Sequence, residues 1–251
     1  MFVGFVDGDG YIKLTRTVTG HISMELVIAL NVRDLPLLQY MHSVLGIGRI
    51  NQFGNTVKYI IGRVDLQEVL FPLLLHHNIF FLTHTRRLQY ALALHVLMNN
   101  IVLFGDLPTG NNNQYLGLIP SLPNTAMNFT VLPFFFNWIV GFTMAEGSFY
   151  IKSVGEYFFS LRQRTFGHTE LFEAFRLVFN TQTSVEYSTR GYAKFAVSSV
   201  KDLTTVVTFF SHSGLHPLVG HKLEQYNKWI NGMRSTKRFS SIKLPDSSSD
   251  G

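Results

Sequence analysis

Gly4-Phe5-Val6-Asp7-Gly8-Asp9-Gly10-Tyr11-Ile12-Lys13 returns in altered form as Gly141-Phe142-Thr143-Met144-Ala145-Glu146-Gly147-Ser148-Phe149-Tyr150. Each copy ends a run of small and apolar residues in a carboxylate followed by glycine, Asp9-Gly10 in one and Glu146-Gly147 in the other. A shift of 137 residues carries Gly4 to Gly141 and also Asp65-Leu66 to Asp202-Leu203. A shift of 136 lays Leu82-Thr83-His84-Thr85-Arg86-Arg87-Leu88-Gln89-Tyr90 on Leu218-Val219-Gly220-His221-Lys222-Leu223-Glu224-Gln225-Tyr226. A period this long exceeds any solenoid repeat and equals a small domain, so the chain reads as two similar domains in tandem.

The pattern around each motif gives the same element order twice. After Gly10, residues 11–16 alternate as a half-exposed strand, and 23–30 do so again beyond the turn at Gly20. Residues 35–45 read as a helix with Pro36 in its first turn and Gly46 at its end. Residues 48–53 and 56–62 form a hairpin around Gly54-Asn55, and helices follow over 66–75 and 87–102. The second half repeats this with strands at 148–152, 157–163, 184–190 and 192–198, a helix over 170–179, and helices starting near Asp202 and Lys222. The expected class is α+β, with two pseudo-symmetric αββαββα domains at 1–105 and 131–239. A linker rich in Pro, Gly and Asn spans 106–130, and residues 240–251 read as a disordered tail.

Composition narrows the partners. Lys and Arg number 21 against 16 Asp and Glu, which favours a polyanion, although the same balance suits an ordinary basic soluble protein. Cysteine is absent, so disulfides and thiolate metal sites are excluded. The ten histidines show no metal-ligand spacing, and adjacent His76-His77 read as structural or surface residues. Residues 131–151 are apolar, yet Pro133, Asn137 and Glu146 argue against a membrane span, and Met1 leads directly into the first motif with no signal peptide.

Gly4 and Gly8 share one helix face, as do Gly141 and Ala145, and small residues at this spacing permit close helix packing between the domains. Asp9 and Glu146 then fall at helix C-termini, where the macrodipole is already negative, and each is followed by a glycine suited to end a helix. A solvated acid is the simpler reading of one such motif. Two in register point to bound divalent cations, for which carboxylate and backbone oxygens are the hard ligands.

The two motifs, the duplicated order and the Leu218–Tyr226 segment resemble the single-chain LAGLIDADG homing endonucleases over nearly the whole sequence. The resemblance implies a DNA-binding saddle of two antiparallel sheets, acting as a monomer on double-stranded DNA and cutting both strands to leave 3′ overhangs. It implies Asp9 and Glu146 as metal-binding catalytic acids, assisted by the carbonyls of Gly8 and Ala145. The expected cofactor is Mg²⁺, with Mn²⁺ as substitute and Ca²⁺ binding without supporting cleavage. The family's basic residue maps onto Lys222 and less closely onto Arg86, and its water-ordering polar residue onto Gln163, where the first domain has Val32.

The family's DNA-facing pattern, counted in alternate residues past each acid, implies Tyr11, Lys13, Thr15 and Thr17 in one half and Ser148, Tyr150 and Lys152 in the other. Further candidates are Ser23, Glu25, Arg49, Asn51 and Lys58, then Glu156, Ser160, Glu186, Ser188, Arg190 and Lys194. The first motif starts at Phe2 and lacks the extra turn that residues 134–138 give the second, while Met144 replaces the acid present as Asp7. The rival readings are an intron maturase that binds host intron RNA with the same fold, and a DNA-binding domain without cleavage. The 23 phenylalanines suggest an AT-rich mitochondrial or other organellar intron as the source.

Overall fold

The computed structural model describes residues 1–245 except Val154 and Thr165. It divides into two compact units, Phe2–Leu122 and Pro123–Gly251, with Met1 grouped with the second.

In the first unit the order is α1 (Phe2–Asp9), β1 (Gly10–Arg16), β2 (Ile22–Asn31), α2 (Leu35–Leu45), β3 (Arg49–Phe53), β4 (Thr56–Gly62), α3 (Arg63–Asp65), α4 (Phe71–His76) and α5 (His84–Met98). The strands form an antiparallel sheet in the order β1-β2-β4-β3. Strand alternation decides which residues meet the helices: Ile12, Met24, Leu26, Ile28, Val57, Tyr59 and Ile61 are all buried on one face. Helix α2 ends as its sequence dictates, with Gly46 in the left-handed region (φ 68) donating its N–H to the His42 carbonyl.

Two helices differ from expectation. The helix expected over 66–75 is a longer run, α3 through α4, with a π-turn at Leu66–Leu70 in its middle. Pro72 has no N–H for the α-helical bond to residue 68, and the Phe71 N–H reaches back five residues to the Leu66 carbonyl instead. Helix α5 starts three residues earlier than its apolar periodicity suggests, at His84, with Thr83 extended ahead of it. It ends before Asn100, which adopts a left-handed conformation (φ 48).

The second unit comprises α6 (Ala126–Thr130), α7 (Phe135–Glu146), β5 (Gly147–Ile151), β6 (Tyr157–Arg164), α8 (Thr169–Val178), β7 (Glu186–Ser188), β8 (Tyr192–Val197), α9 (Val200–Phe210) and α10 (Gly220–Arg234). Its sheet order, β5-β6-β8-β7, repeats that of the first. Its core is aromatic: Phe135, Trp138, Phe142 and Phe175 are fully buried, with Trp138 stacked on Phe142 at 4.7 Å between centroids. Offset stacks of this kind add stability beyond the area they bury.

The segment expected as a linker is ordered on both sides of the division between units. A 3₁₀ turn at Asn112–Leu118 lies against α5, with Tyr115 stacked on His95 at 4.2 Å, and α6 meets α8 through the Ala126 N–H to the Glu170 carboxylate, 2.9 Å. Within the expected tail, Ile242 is buried, and Asp246–Gly251 lie outside the described residues. Among the described residues no helix is long and apolar enough to cross a membrane.

Candidate active site and nucleic-acid interface

Each motif helix runs into its strand with no residue between them: α1 ends at Asp9 and β1 begins at Gly10, while α7 ends at Glu146 and β5 begins at Gly147. Neither glycine is left-handed; Gly147 is extended, at φ −81 and ψ 158. The expectation of helix-ending glycines chosen for dihedral freedom is therefore corrected: a steric demand selects them. A Cβ on Gly147 would lie 2.5 Å from the Thr143 carbonyl oxygen and 2.6 Å from Thr143 Cγ2. At Gly10 it would lie 2.8 Å from Val6 Cγ1 and 2.9 Å from Val6 Cα. The strand leaves by folding across the last helical turn, and only glycine fits beneath it.

Around each acid the two units place matching side chains. Asp9 is exposed and Glu146 half-buried. Lys222, the third residue of α10, donates from Nζ to the Gly147 carbonyl (2.5 Å) and to Gln225 Oε1 (3.1 Å). Arg86, the third residue of α5, donates from Nε to the Val6 carbonyl (3.0 Å) and from Nη1 to Gln89 Oε1 (2.9 Å). Gln89 also accepts the Ile12 N–H at 3.0 Å, which ties α5 to β1. Arg86 thus holds a last-turn carbonyl of α1 and Lys222 the first carbonyl of β5, each close to the C-terminal end of its motif helix, where the dipole favours positive charge. Gln163 reaches Glu146 Oε1 at 3.5 Å, a long contact, from the helix-facing side of β6. Val32 lies in the 3₁₀ turn after β2.

Asp7 serves a different end. It is 1% exposed and accepts from the Leu82 N–H (2.7 Å), the Thr83 N–H (3.1 Å) and Thr83 Oγ1 (2.5 Å). The buried Arg87 adds a favourable charge interaction with Asp7. The carboxylate satisfies donors at the entry of α5 and so seats the helix that carries Arg86. By the same residue shifts, Asp7, Thr83 and Arg87 become Met144, Val219 and Leu223 in the second unit. A polar trio in one copy corresponds to an apolar trio in the other.

Strand register gathers the candidate DNA-facing residues. Lys13 pairs with Glu25, Thr15 with Ser23, and Asn51 with Lys58; Tyr11 and Arg49 lie on the same outward face. In the second unit Ser148 pairs with Ser160 and Glu186 with Lys194, with Tyr150 and Ser188 on their face. Four candidates are not on a strand. Thr17 follows β1 and commits its hydroxyl to the turn, donating to the His21 carbonyl. Lys152 and Glu156 face each other across the β5–β6 turn at 3.5 Å, and Arg190 lies in the β7–β8 turn. Alternation assigns these four no face, because it ends with the strand.

Register also adds residues to the outer face. Arg162 and Arg164 continue Ser160 along β6 opposite Lys194 and Tyr192, and Phe158 lies opposite Tyr150. The Arg162 guanidinium lies 4.2 Å from the Tyr192 ring centre, and Lys152 lies 4.2 Å from that of Phe158. A period-two count from Ser160 would have found both arginines. His76 and His77 are exposed at the end of α4, their rings edge-on at 4.8 Å.

A family model described as LAGLIDADG endonuclease matches residues 2–91 and 139–233. Among solved structures the chain is similar to I-SmaMI bound to uncleaved DNA target in the presence of calcium ions, with 19% identity, 92% of this chain and 88% of that chain covered, and a TM-score of 0.69. It is likewise similar to the LAGLIDADG meganuclease I-CpaMI bound to uncleaved DNA, at 20% identity, 94% and 92% coverage and a TM-score of 0.69. The match to I-SmaMI bound to cleaved DNA has 18% identity, 93% and 88% coverage and a TM-score of 0.70. At these identities the structural likeness is one of fold.

Proposed function

The chain belongs to the LAGLIDADG endonuclease family, and from that premise we propose that it is a site-specific DNA homing endonuclease. In this proposal it makes a metal-dependent double-strand break at a long, asymmetric target and leaves 3′ overhangs. One observation carries the reading: each unit repeats an acid at a helix-to-strand junction, a basic side chain at a carbonyl of that junction, and a polar strand face that starts beside it. Charge alone supports a polyanionic partner; the paired junctions support chemistry on it.

Asp9 and Glu146 would each hold a divalent cation together with the carbonyls of Gly8 and Ala145. The donors fit: they are hard oxygens, and last-turn carbonyls have no partner further along their helix. Among the described residues no group of three or more His, Cys, Asp or Glu gathers, which suits an ion completed by water and phosphate oxygens. Such cations, Mg²⁺ or Mn²⁺, supply Lewis-acid polarisation of the scissile phosphate and a readier water nucleophile. Lys222 and Arg86 hold positive charge where negative charge develops on the phosphate. Gln163 orients the Glu146 carboxylate and neighbouring water. The sheet faces position the duplex, since a two-stranded ribbon fits the major groove. An organellar intron as the encoding locus is part of the same proposal.

The test is cleavage of a randomised plasmid library by the full chain with Mg²⁺, with ends mapped by sequencing. The expected result is an enriched family of sites cut with 3′ overhangs. The Asp9→Asn, Glu146→Gln double variant should bind those sites without cutting them. Absence of any metal-dependent cut, or continued cutting by the double variant, rejects the proposal.

A further inference from the structure

One place on the outer face of the first sheet has no side chain. Gly62, the last residue of β4, stands directly opposite Glu25 of β2. Its backbone is extended (φ −82, ψ 173), so no dihedral demands glycine, and a Cβ there would meet only Arg49 Nη1, at 3.9 Å. What glycine leaves is a gap. Arg49 on β3 crosses β4 through it and places Nη2 3.0 Å from Glu25 Oε1, while Lys13 on β1 holds Oε2 at 3.0 Å. Each carboxylate oxygen therefore has its own cation, and the three residues come from three strands.

Burial alone would raise the Glu25 pKa, but the Lys13 and Arg49 cations outweigh it and the carboxyl lies below its usual value. The side chains remain 39%, 18% and 54% exposed for Lys13, Glu25 and Arg49. Ion pairs this exposed add little to stability, and ordering two long side chains has an entropic cost. What the arrangement provides is order, a fixed row of donor, acceptor and donor across the sheet.

Resting on the proposed DNA-endonuclease function, we infer that Lys13, Glu25 and Arg49, aligned through the gap at Gly62, form a preassembled specificity cluster that selects an A·T or T·A pair. The major-groove edges explain the choice. An A·T pair presents adenine N7 as acceptor, N6 as donor and thymine O4 as acceptor, the complement of the protein row in either orientation. A G·C pair presents two adjacent acceptors and then a donor, so in either orientation the carboxylate meets the guanine O6 acceptor and one cation meets the cytosine N4 donor. Glu25 also keeps both cations from contacting phosphates, which trades nonspecific affinity for discrimination.

The experiment selects randomised duplexes for binding to the full chain without divalent cation, in parallel for wild type, Glu25→Gln and Gly62→Val. The glycine variant leaves all three side chains intact and fills only the gap. Wild type should enrich one position for A·T or T·A without preference between them. Both variants should lose about tenfold or more of that preference. Glu25→Gln should also steepen the salt dependence of binding by about one unit of log–log slope for each cation released to a phosphate. A position of this kind that survives in both variants, or a variant-sensitive position that is G·C, overturns the cluster alone. Failure of wild type to enrich any sequence removes the DNA-binding premise, and the cluster falls with it.

Discussion

Replacing Asp7 with alanine should destabilise the first unit by about 3–5 kcal/mol, the range for removing one partner of a buried charged network. The structure supplies the terms. Truncation orphans the Leu82 and Thr83 N–H groups, which the carboxylate accepts at 2.7 and 3.1 Å in a site only 1% exposed. Each buried donor left unmade costs about 1–3 kcal/mol, and Arg87 loses a neighbouring countercharge. Some relief comes from the Thr83 hydroxyl, which is freed to cap α5, a contact worth about 1 kcal/mol. Both tryptophans, Trp138 and Trp229, lie in the second unit, so fluorescence would miss the change. Hydrogen exchange across residues 82–98 reads it directly, as a fall in the free energy of opening. A triple variant, Asp7→Met with Thr83→Val and Arg87→Leu, installs the second unit's residues and should recover more than half of the loss. Unchanged protection in Asp7→Ala, or a triple variant no better than the single, would refute the assignment of Asp7 as the clasp between α1 and α5.

Other expectations follow from the junctions and charges. Gly147→Ala forces the chain to give by about 1 Å against the Thr143 carbonyl, which should misplace Glu146 and slow cleavage about 100-fold; a plasmid time course measures it, and a wild-type rate would contradict the steric account. Gly10→Ala also meets backbone, Val6 Cα at 2.9 Å, but overlaps less than the 2.5 Å approach at Gly147, and should slow cleavage less in the same time course. Lys222→Met keeps the stem but loses the donors to Gly147 and Gln225. Its cutting rate should fall about 100-fold while its binding, measured by gel shift, changes little. Burial first, and then the neighbouring Arg87 charge, hold the His84 pKa below the ordinary histidine value of 6.5. The unfolded chain therefore takes up the proton more readily, so His84 lowers the stability of the first unit as pH falls below about 6.5. His84→Asn should flatten that slope in urea titrations at a series of pH values.

The strands, α2 with its Gly46 stop and the duplication were readable because each is local or self-similar. Alternation and turn glycines lie within a few residues of one another, and a residue shift needs no structure. The role of Asp7 was not readable in this way, since its partners Leu82 and Thr83 lie some 75 residues away along the chain. The order in residues 112–118 was hidden because their Asn and Gly, flanked by Pro108 and Pro120, spell a loop in any local reading, and contact with α5 overrides that reading. Thr17, Lys152, Glu156 and Arg190 lie beyond the strand ends, where alternation assigns no face. Gly62 carries no side chain to notice, and only the register identifies what passes over it.

The direct passage from Asp9 to Gly10 and from Glu146 to Gly147 has a consequence for retargeting. With strand residues rising about 3.3 Å each, Tyr11 and Ser148 lie within two steps of the acids, and no loop absorbs a change there. In the proposed endonuclease, altering base preference at these positions would perturb the scissile geometry itself, whereas changes at Thr15, six residues beyond Asp9, would act at the remote end of a stiff ruler. The innermost positions of such a protein are gears, the outermost are dials, and a library that treats them alike will confuse lost rate with lost recognition.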